Sequence, residues 1–184
     1  MIGGLSVTII TSERLFFRAL NKNDVSERYI SWLNDPEVNR YLETRFVTQT
    51  LESCRRFVLE MERDPFSHLF GIFDKVTLDH IGNIKLGFIN TNHQSGQLSL
   101  FVGEKAYWRK GYATESIRRI TQWGFDELGL DRIEAGCYDK NVGSLRAFLK
   151  VGYSVEVFFR NSVVSDGQRV GSFWLGILRN DRII

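Results

Sequence analysis

Apolar and polar positions alternate along several parts of the chain, and a period of two predicts β-strands. The first strand is predicted over Ser12–Leu20, where Leu15, Phe17 and Ala19 fall on one side. The remaining strands are predicted at His68–Asp74, Ile81–Asn90, Gly96–Gly103, Asp131–Tyr138, Tyr153–Val164 and Gln168–Leu178. The last two flank "SDGQ", a turn signal that predicts a hairpin.

Between the first two strands the apolar period changes to that of a helix. Asn23 and Asp24 are candidate caps for "VSERYISWLNDPEVNRYL", which Pro36 interrupts, so Glu37–Leu42 is predicted to restart as a second helical piece. A further helix is predicted from Thr50 to Arg63, ending before Pro65.

Two more helices are predicted in the second half of the chain. One carries apolar positions on a single face and stops at Gly129. These positions are Ala113, Ile117, Ile120, Gly124 and Leu128. The other lies in "NVGSLRAFLKVGY" and ends at Gly152.

This order of elements predicts a single α/β (α+β) domain over residues 1–184. Its central sheet should be mixed and mostly antiparallel, with flanking and crossover helices. A chain of 184 residues is long enough to bury such a core without disulfide or metal support.

Composition excludes several function classes. The net charge of +2 by itself argues neither for nor against nucleic-acid binding, but the lack of a dense Lys/Arg stripe argues against it. Cys54 and Cys137 lie far apart and are predicted to be reduced, and the three histidines are not at metal-ligand spacing. The N-terminus does not resemble a signal peptide and no run is long enough to span a membrane, so a cytoplasmic protein is expected.

The stretch "YWRKGYATES" (Tyr107–Ser116) falls where a strand gives way to a helix. A helix N-terminus exposes unpaired N–H groups and roughly half a positive charge, which suits a phosphate. Small residues at Gly111 and Ala113 let an anion approach the backbone, and Arg109 and Lys110 add positive charge. A plain strand-to-helix turn is the alternative, and the spacing alone matches neither a Walker loop nor a dinucleotide fingerprint.

Longer segments carry a family resemblance. "VGEKAYWRKGYATES" followed by "DRIEAGCYDKNVGSLRAFLKVGY" resembles the GNAT superfamily of N-acetyltransferases, and more narrowly the ribosomal-protein N-terminal acetyltransferases. "RLFFRALNKND", "YISWLNDPEVNRYLETR" and "HIGNIKLGFIN" resemble members associated with amino-sugar-nucleotide N-acetyltransferases. The resemblance extends from about Leu15 to Phe159.

The resemblance implies acetyl-CoA as the donor, bound in a wedge between the fourth and fifth predicted strands. It implies that backbone groups around Phe101, Val102 and Gly103 face the thioester, and that Asn141 and Ser144 lie near the pantetheine arm. The family's phosphate loop maps onto Trp108–Ala113, with Trp108 where Gln or Arg is usual. The N–H cradle would come from Arg109, Lys110, Gly111, Tyr112, Ala113 and Thr114. Asn141 is also a candidate helix N-cap, and both roles can coexist.

The usual catalytic acid and base are missing from their family positions. Gln97 stands where the glutamate base is expected, which leaves His93, Glu104 or Glu43 as candidates. The tyrosine acid of the family is matched to Leu149, so Ser144 and Tyr138 become the candidate proton donors. For His93 an exposed loop position, and for Tyr138 an aromatic packing role, are the structural alternatives.

The acceptor is expected over the N-terminal helices. Trp32, Asn34, Tyr41 and Arg45 are the candidate substrate-binding residues there, joined by Gln97 and Ser99 on one face of the fourth strand. The leading prediction is a small primary amine such as an amino-sugar nucleotide. A peptide N-terminus is the rival acceptor, and a catalytically silent acetyl-CoA-binding module is the non-enzyme alternative. The sequence does not determine the oligomeric state, and a homodimer is left open.

Overall fold

The computed structural model describes residues 9–184. In that range eight strands form one mixed sheet in the order β1-β2-β3-β4-β5-β6-β8-β7, antiparallel except for the β5–β6 pair. The strands are β1 (Ile9–Thr11), β2 (Leu15–Ala19), β3 (His68–Asp74), β4 (His80–Asn90), β5 (Ser95–Val102), β6 (Arg132–Tyr138), β7 (Ser154–Ser165) and β8 (Gln168–Leu178). The predicted mixed and mostly antiparallel sheet is confirmed.

Helices cover both faces of this sheet. They are α1 (Glu27–Asn34), α2 (Leu51–Arg63), α3 (Tyr112–Asp126) and α4 (Val142–Val151). Thr50 caps α2 through its side chain, and α4 ends at Gly152, whose φ of +115° favours glycine. The predicted helices over these segments are therefore confirmed to within a few residues.

The alternation of side chains along the strands separates two apolar cores. Phe70 of β3 and Leu98 of β5 join α3 and α4 in one cluster, whereas Leu69 and Phe101 join α1 and α2 in the other. The face on which the acceptor is predicted to bind is the one covered by α1 and α2.

Two predicted elements differ from the structure. The first predicted strand, Ser12–Leu20, is shortened to β2 (Leu15–Ala19), and the strand β1 (Ile9–Thr11), which lies before the turn at residues 12–14, was not predicted. The helical piece predicted over Glu37–Leu42 is wrong: these residues form successive turns, followed by a 3₁₀ helix at Glu43–Phe46. The backbone bonds there are short-range: the Val38 and Asn39 N–H groups donate to the Asp35 carbonyl, and the Leu42 N–H donates to the Asn39 carbonyl. A six-residue piece forms too few such bonds to offset the cost of helix nucleation.

No helix within residues 9–184 is long and apolar enough to cross a membrane. The first eight residues of the N-terminal stretch that was compared with a signal peptide lie outside the described residues.

Candidate active site

The feature that organises the site is a divergence of two neighbouring parallel strands. β5 and β6 pair only at Ser95–Arg132, Gly96–Ile133 and Gln97–Glu134. Beyond these residues β5 continues with β4 as far as Val102, while β6 continues with β8 as far as Tyr138. A wedge therefore opens between the C-terminal halves of β5 and β6, the fourth and fifth strands of the sequence prediction.

The β5 wall of the wedge offers main-chain hydrogen-bonding groups. The Gly103 N–H donates to the Ile81 carbonyl of β4. Because main-chain groups of successive residues in a strand point to opposite sides, the groups of Gln97, Ser99 and Phe101 are also directed to β4. Those of Leu100 and Val102 point away from β4. The N–H groups of Leu100 and Val102 thus face the gap. Of the Phe101–Gly103 set, only Val102 directs its N–H toward the gap, since the Gly103 N–H already has a partner and the Phe101 N–H is directed to β4. Contact of this set with a thioester stays a prediction.

A tight turn follows at the start of α3. Gly111 is the N-cap, with φ +84° in the left-handed region, and no side chain caps the helix. The first amide of α3 to find a backbone carbonyl is that of Glu115, which donates to Gly111. Within residues 9–184 the amides of Tyr112, Ala113 and Thr114 have no protein partner. These free donors and the exposed Gly111 backbone fit a phosphate.

Trp108 explains how the loop manages without the usual Gln or Arg. Its indole N–H donates to the Val102 carbonyl at 2.7 Å, so it ties the loop to the end of β5. The one polar group of this half-buried side chain is therefore engaged with the backbone and is not available to an anion at the helix start. Arg109 has φ +58°, and both Arg109 and Lys110 are exposed at the loop surface.

On the other wall, α4 begins directly after β6. The Asn141 side chain accepts a bond from the Ser144 N–H at 3.2 Å, which is the N-cap role anticipated for it. The Asn141 N–H donates to the Tyr138 carbonyl, so the start of α4 is fixed to the end of β6. Ser144 is half-buried in the first turn of α4. Contacts of Asn141 and Ser144 with a cofactor stay predictions.

Tyr138, the last residue of β6, lies in a polar cluster on the α1/α2 face. Its hydroxyl donates to Glu43 and accepts from Arg45 Nη2 at 2.9 Å. The Tyr41 ring packs edge-on against the Tyr138 ring at 6.0 Å. Burial raises the pKa of Tyr138, and the bond to Glu43 acts in the same direction while Arg45 opposes it. Tyr138 therefore stays protonated through neutral pH and is able to donate a proton.

Gln97 lies in β5, where the family glutamate is expected, and its register neighbour on β6 is a carboxylate. Glu134 lies opposite Gln97 on β6 and was not singled out from the sequence. Its oxygens accept from Arg132 Nε at 2.8 Å and Trp174 Nε1 at 3.1 Å. Both oxygens are thus engaged, whereas Glu43 has a side chain 73% exposed. Ser99 is exposed on the same face as Gln97.

Two predicted substrate-binding residues have structural roles instead. Trp32 is only 5% exposed and packs against His80 and Phe101 beneath Gly103, so it belongs to the core. The Asn34 amide makes two bonds of 2.8 Å with the backbone of Gln49, which pins the α1–α2 connection.

The remaining catalytic candidates are not gathered at the wedge. His93 is exposed in the β4–β5 turn, beside the paired ends of β5 and β6, and its N–H bonds to Asn90. Glu104 forms an ion pair with Arg28. Leu149 is 42% exposed on α4. The tyrosine acid of the family belongs to a "FYxxxGF"-like pattern, in which it precedes the glycine by four positions. Counted back from Gly152, that position is Phe148, a core residue. Neither Phe148 nor Leu149 carries a hydroxyl.

Residues 14–154 match the family model described as "Acetyltransferase (GNAT) domain". The chain belongs to the GNAT acetyltransferase family. It is 34% identical over 137 residues to "Probable N-acetyltransferase YjcK" of Bacillus subtilis, covering 72% of this chain and 75% of that protein. The superfamily resemblance is confirmed, and the narrower subgroup stays a prediction.

Solved GNAT structures share the fold. An acetyltransferase from Bacillus anthracis superposes with a TM-score of 0.80 at 24% identity, covering 93% of this chain and 98% of that one. A spermidine N-acetyltransferase from Vibrio cholerae, solved in complex with CoA and spermine, gives 0.82 at 20% identity, covering 91% and 97%. The GNAT chain is an acetyl-CoA-dependent N-acetyltransferase, and acetyl-CoA is its acetyl donor.

Proposed function

We propose that this GNAT chain, acting as one domain over residues 1–184, acetylates the primary amine of a small molecule, with Tyr138 as the proton donor. The observation that carries the proposal is the position of the Tyr138 hydroxyl: at the end of β6, on the wall of the wedge, bonded to both Glu43 and Arg45. Acetyl-CoA supplies the acyl group. The chain must remove a proton from the amine and provide one to the departing sulfur.

Glu43 and Tyr138 suit these two proton transfers. An alkylammonium has a pKa near 10.4, so a nearby carboxylate is needed to accept its proton. Glu43 is exposed enough to meet an entering amine and is already in contact with the phenol. Arg45 holds the phenol from its other side and is fixed by a 2.6 Å bond to the Val164 carbonyl. The amides of Leu100 and Val102 are available to polarise a carbonyl in the gap.

Charge near the wedge favours a cationic amine. Arg45 is 13% exposed and its donors are directed to Leu42, Val164 and Tyr138, which leaves it poorly suited to a nucleotide phosphate. Glu43 is the more exposed member of the pair. The spermidine N-acetyltransferase with a similar fold makes a polyamine a reasonable first acceptor to assay. Amino-sugar nucleotides and peptide N-termini are the competing acceptors.

The test measures free CoA thiol and the acetylated product with spermidine, a UDP-amino sugar and short peptides. Transfer to a small amine is expected, and preference for a peptide N-terminus would contradict the proposed acceptor class. Absence of transfer to every acceptor, with CoA still bound, would favour the silent binding module.

The role of Tyr138 has its own variant. Tyr138→Phe is expected to lower kcat by ~10²-fold or more, the range for loss of a general acid, with the Kd for CoA unchanged. Tyr153→Phe is the matched control, because it removes a hydroxyl bonded to Thr121 in the core on the opposite face. Ser144→Ala discriminates the alternative donor. A fall in kcat for Ser144→Ala with none for Tyr138→Phe would transfer the acid role to Ser144.

A further inference from the structure

A further cationic side chain, besides Arg109 and Lys110, approaches the loop from a distant part of the chain. Arg14 lies in the turn between β1 and β2, almost a hundred residues before Gly111. Its Nη1 donates to the Lys110 carbonyl at 2.9 Å, and its guanidinium lies 4.1 Å from the centre of the Tyr112 ring. Arg14 Nη2 would be 3.5 Å from a Cβ built on Gly111. Arg14 therefore borders Gly111, the exposed N-cap of α3.

The guanidinium has donors to spare. An arginine offers five N–H groups, and in residues 9–184 the protein partners of the Arg14 side chain are Glu115 through Nε and Lys110 through Nη1. Nη2, the nitrogen nearest Gly111, has none in that range. A planar fork with free N–H groups beside unpaired backbone amides is suited to an anion with several oxygens.

A buried carboxylate fixes this orientation. Glu115, 8% exposed in the first turn of α3, accepts from the Arg14 N–H, Arg14 Nε and Ser12 Oγ, each at 2.7 Å. Burial acts to raise the pKa of Glu115, but these hydrogen bonds outweigh it and hold the pKa below its usual value. In the pair the Arg14 side chain is 39% exposed against 10% for Glu115, so the positive partner faces solvent.

The surroundings of Arg14 are also positive. Next to Gly111 and Thr114 an open cleft of about 470 Å³ runs along α3, between the β1–β2 turn and the end of α4. Its lining has more basic than acidic residues: Arg14, Arg118, Arg119 and Lys150 against Glu13 and Glu115. We propose that Arg14 binds a phosphate of CoA, in place of the side-chain donor that Trp108 has withdrawn from the loop, and that Glu115 is the residue that positions it. The inference rests on acetyl-CoA being the donor and not on the identity of the acceptor.

The primary experiment measures CoA binding by calorimetry. Arg14→Gln is expected to raise the Kd for CoA by about 10- to 100-fold, the range for loss of hydrogen bonds between charged groups. Arg179→Gln is the matched control: Arg179 is 37% exposed and pairs with Asp131 at 3.0 Å, away from the loop. An unchanged Kd for Arg14→Gln, beside a wild type that binds CoA, would overturn the inference and leave the proposed function intact.

Truncated donors identify which phosphate is bound. A similar loss with CoA and 3′-dephospho-CoA supports a pyrophosphate contact, whereas a loss confined to CoA supports a contact with the 3′-phosphate. With S-acetylpantetheine, which lacks the nucleotide phosphates, kcat/KM should be the same for wild type and Arg14→Gln. An equal loss with S-acetylpantetheine would mean general damage to the site and would contradict phosphate binding by Arg14.

A second variant covers the case in which Arg14→Gln destabilises the fold. Removing Arg14 alone leaves a buried carboxylate without its partner, which is costly. The double variant Arg14→Gln/Glu115→Gln removes both charges and should fold, and it is expected to lose CoA affinity by the same factor as Arg14→Gln. Wild-type affinity in a folded double variant would equally refute the role of Arg14.

Discussion

Gly111→Glu separates the two interpretations of the loop, an anion cradle or a plain turn. Gly111 has φ +84°, and a Cβ there would contact only Arg14 Nη2, at an ordinary 3.5 Å. The structural cost is therefore left-handed backbone strain of about 1–2 kcal/mol, without a steric clash. A carboxylate in the first turn regains about 0.3–1 kcal/mol from the helix dipole. The variant should remain folded, with a modestly lower Tm.

Its effect on cofactor affinity should be far larger. A carboxylate about 5 Å from a phosphate, with an effective dielectric constant of about 20, is repelled by about 3 kcal/mol, which is a few hundredfold in Kd. Gly129→Glu is the matched control, since Gly129 has φ +66°, nothing within 4 Å of a Cβ, and a position just beyond the opposite end of α3. The same strain is introduced there, and the helix dipole is unfavourable to the new charge.

Calorimetry with CoA and thermal unfolding without it are the two assays. Gly129→Glu should be the less stable variant and keep wild-type affinity, and Gly111→Glu should be the more stable and lose CoA binding. If Gly111→Glu binds CoA like the wild type, the loop from Trp108 to Ala113 is a turn and holds no phosphate.

Three further changes probe the scaffold. Gly103→Ala would bring a Cβ to 2.2 Å from the Trp32 ring. Urea unfolding should therefore show that the free energy of unfolding is lower by about 1–3 kcal/mol. An unchanged free energy of unfolding would mean that the end of β5 moves freely. Trp108→Phe leaves the Val102 carbonyl without its 2.7 Å hydrogen-bond partner. The same assay should show that the free energy of unfolding is lower by about 1–3 kcal/mol. No decrease would mean that water satisfies that carbonyl in the variant. Burial lowers the pKa of His80 in the folded state; because the unfolded chain then binds more protons, unfolding free energy should fall as pH drops below about 6.5. His80→Asn should reduce that fall, and a pH dependence identical to wild type would exclude His80 as its source.

The elements that the sequence predicted well are those in which local signals agree with packing. α2 has a threonine cap, one apolar face and a proline soon after its end, and it forms as predicted. The Glu37–Leu42 segment shows the converse: it forms separate turns, because so short a piece gains too few backbone bonds to offset the cost of helix nucleation. Trp32 was predicted to bind substrate because the sequence does not reveal that its ring faces the sheet. The ring packs over Gly103, where the lack of a side chain leaves room for it, and a glycine at the end of a strand does not by itself predict that packing.

The site is predictable along one segment and not across the fold. The phosphate loop lies in a single stretch, so glycine, small residues and a following helix indicate it together. Arg14, Glu43 and Tyr138 come from the β1–β2 turn, the α1–α2 connection and β6, and only the folded sheet brings them to the loop and the wedge. Glu134 was missed for the same reason: its neighbour Gln97 belongs to another strand, and the parallel register is not visible in either segment.

Acetyl transfer to a small amine is the most direct measurement. Incubation with isotopically labelled acetyl-CoA and a panel of polyamines, amino sugars and peptides, followed by mass spectrometry, should yield a labelled small-amine amide in stoichiometric amount with the CoA released. Wild-type protein that neither binds CoA nor acetylates any amine in the panel would contradict an acetyl-CoA site in the β5–β6 wedge.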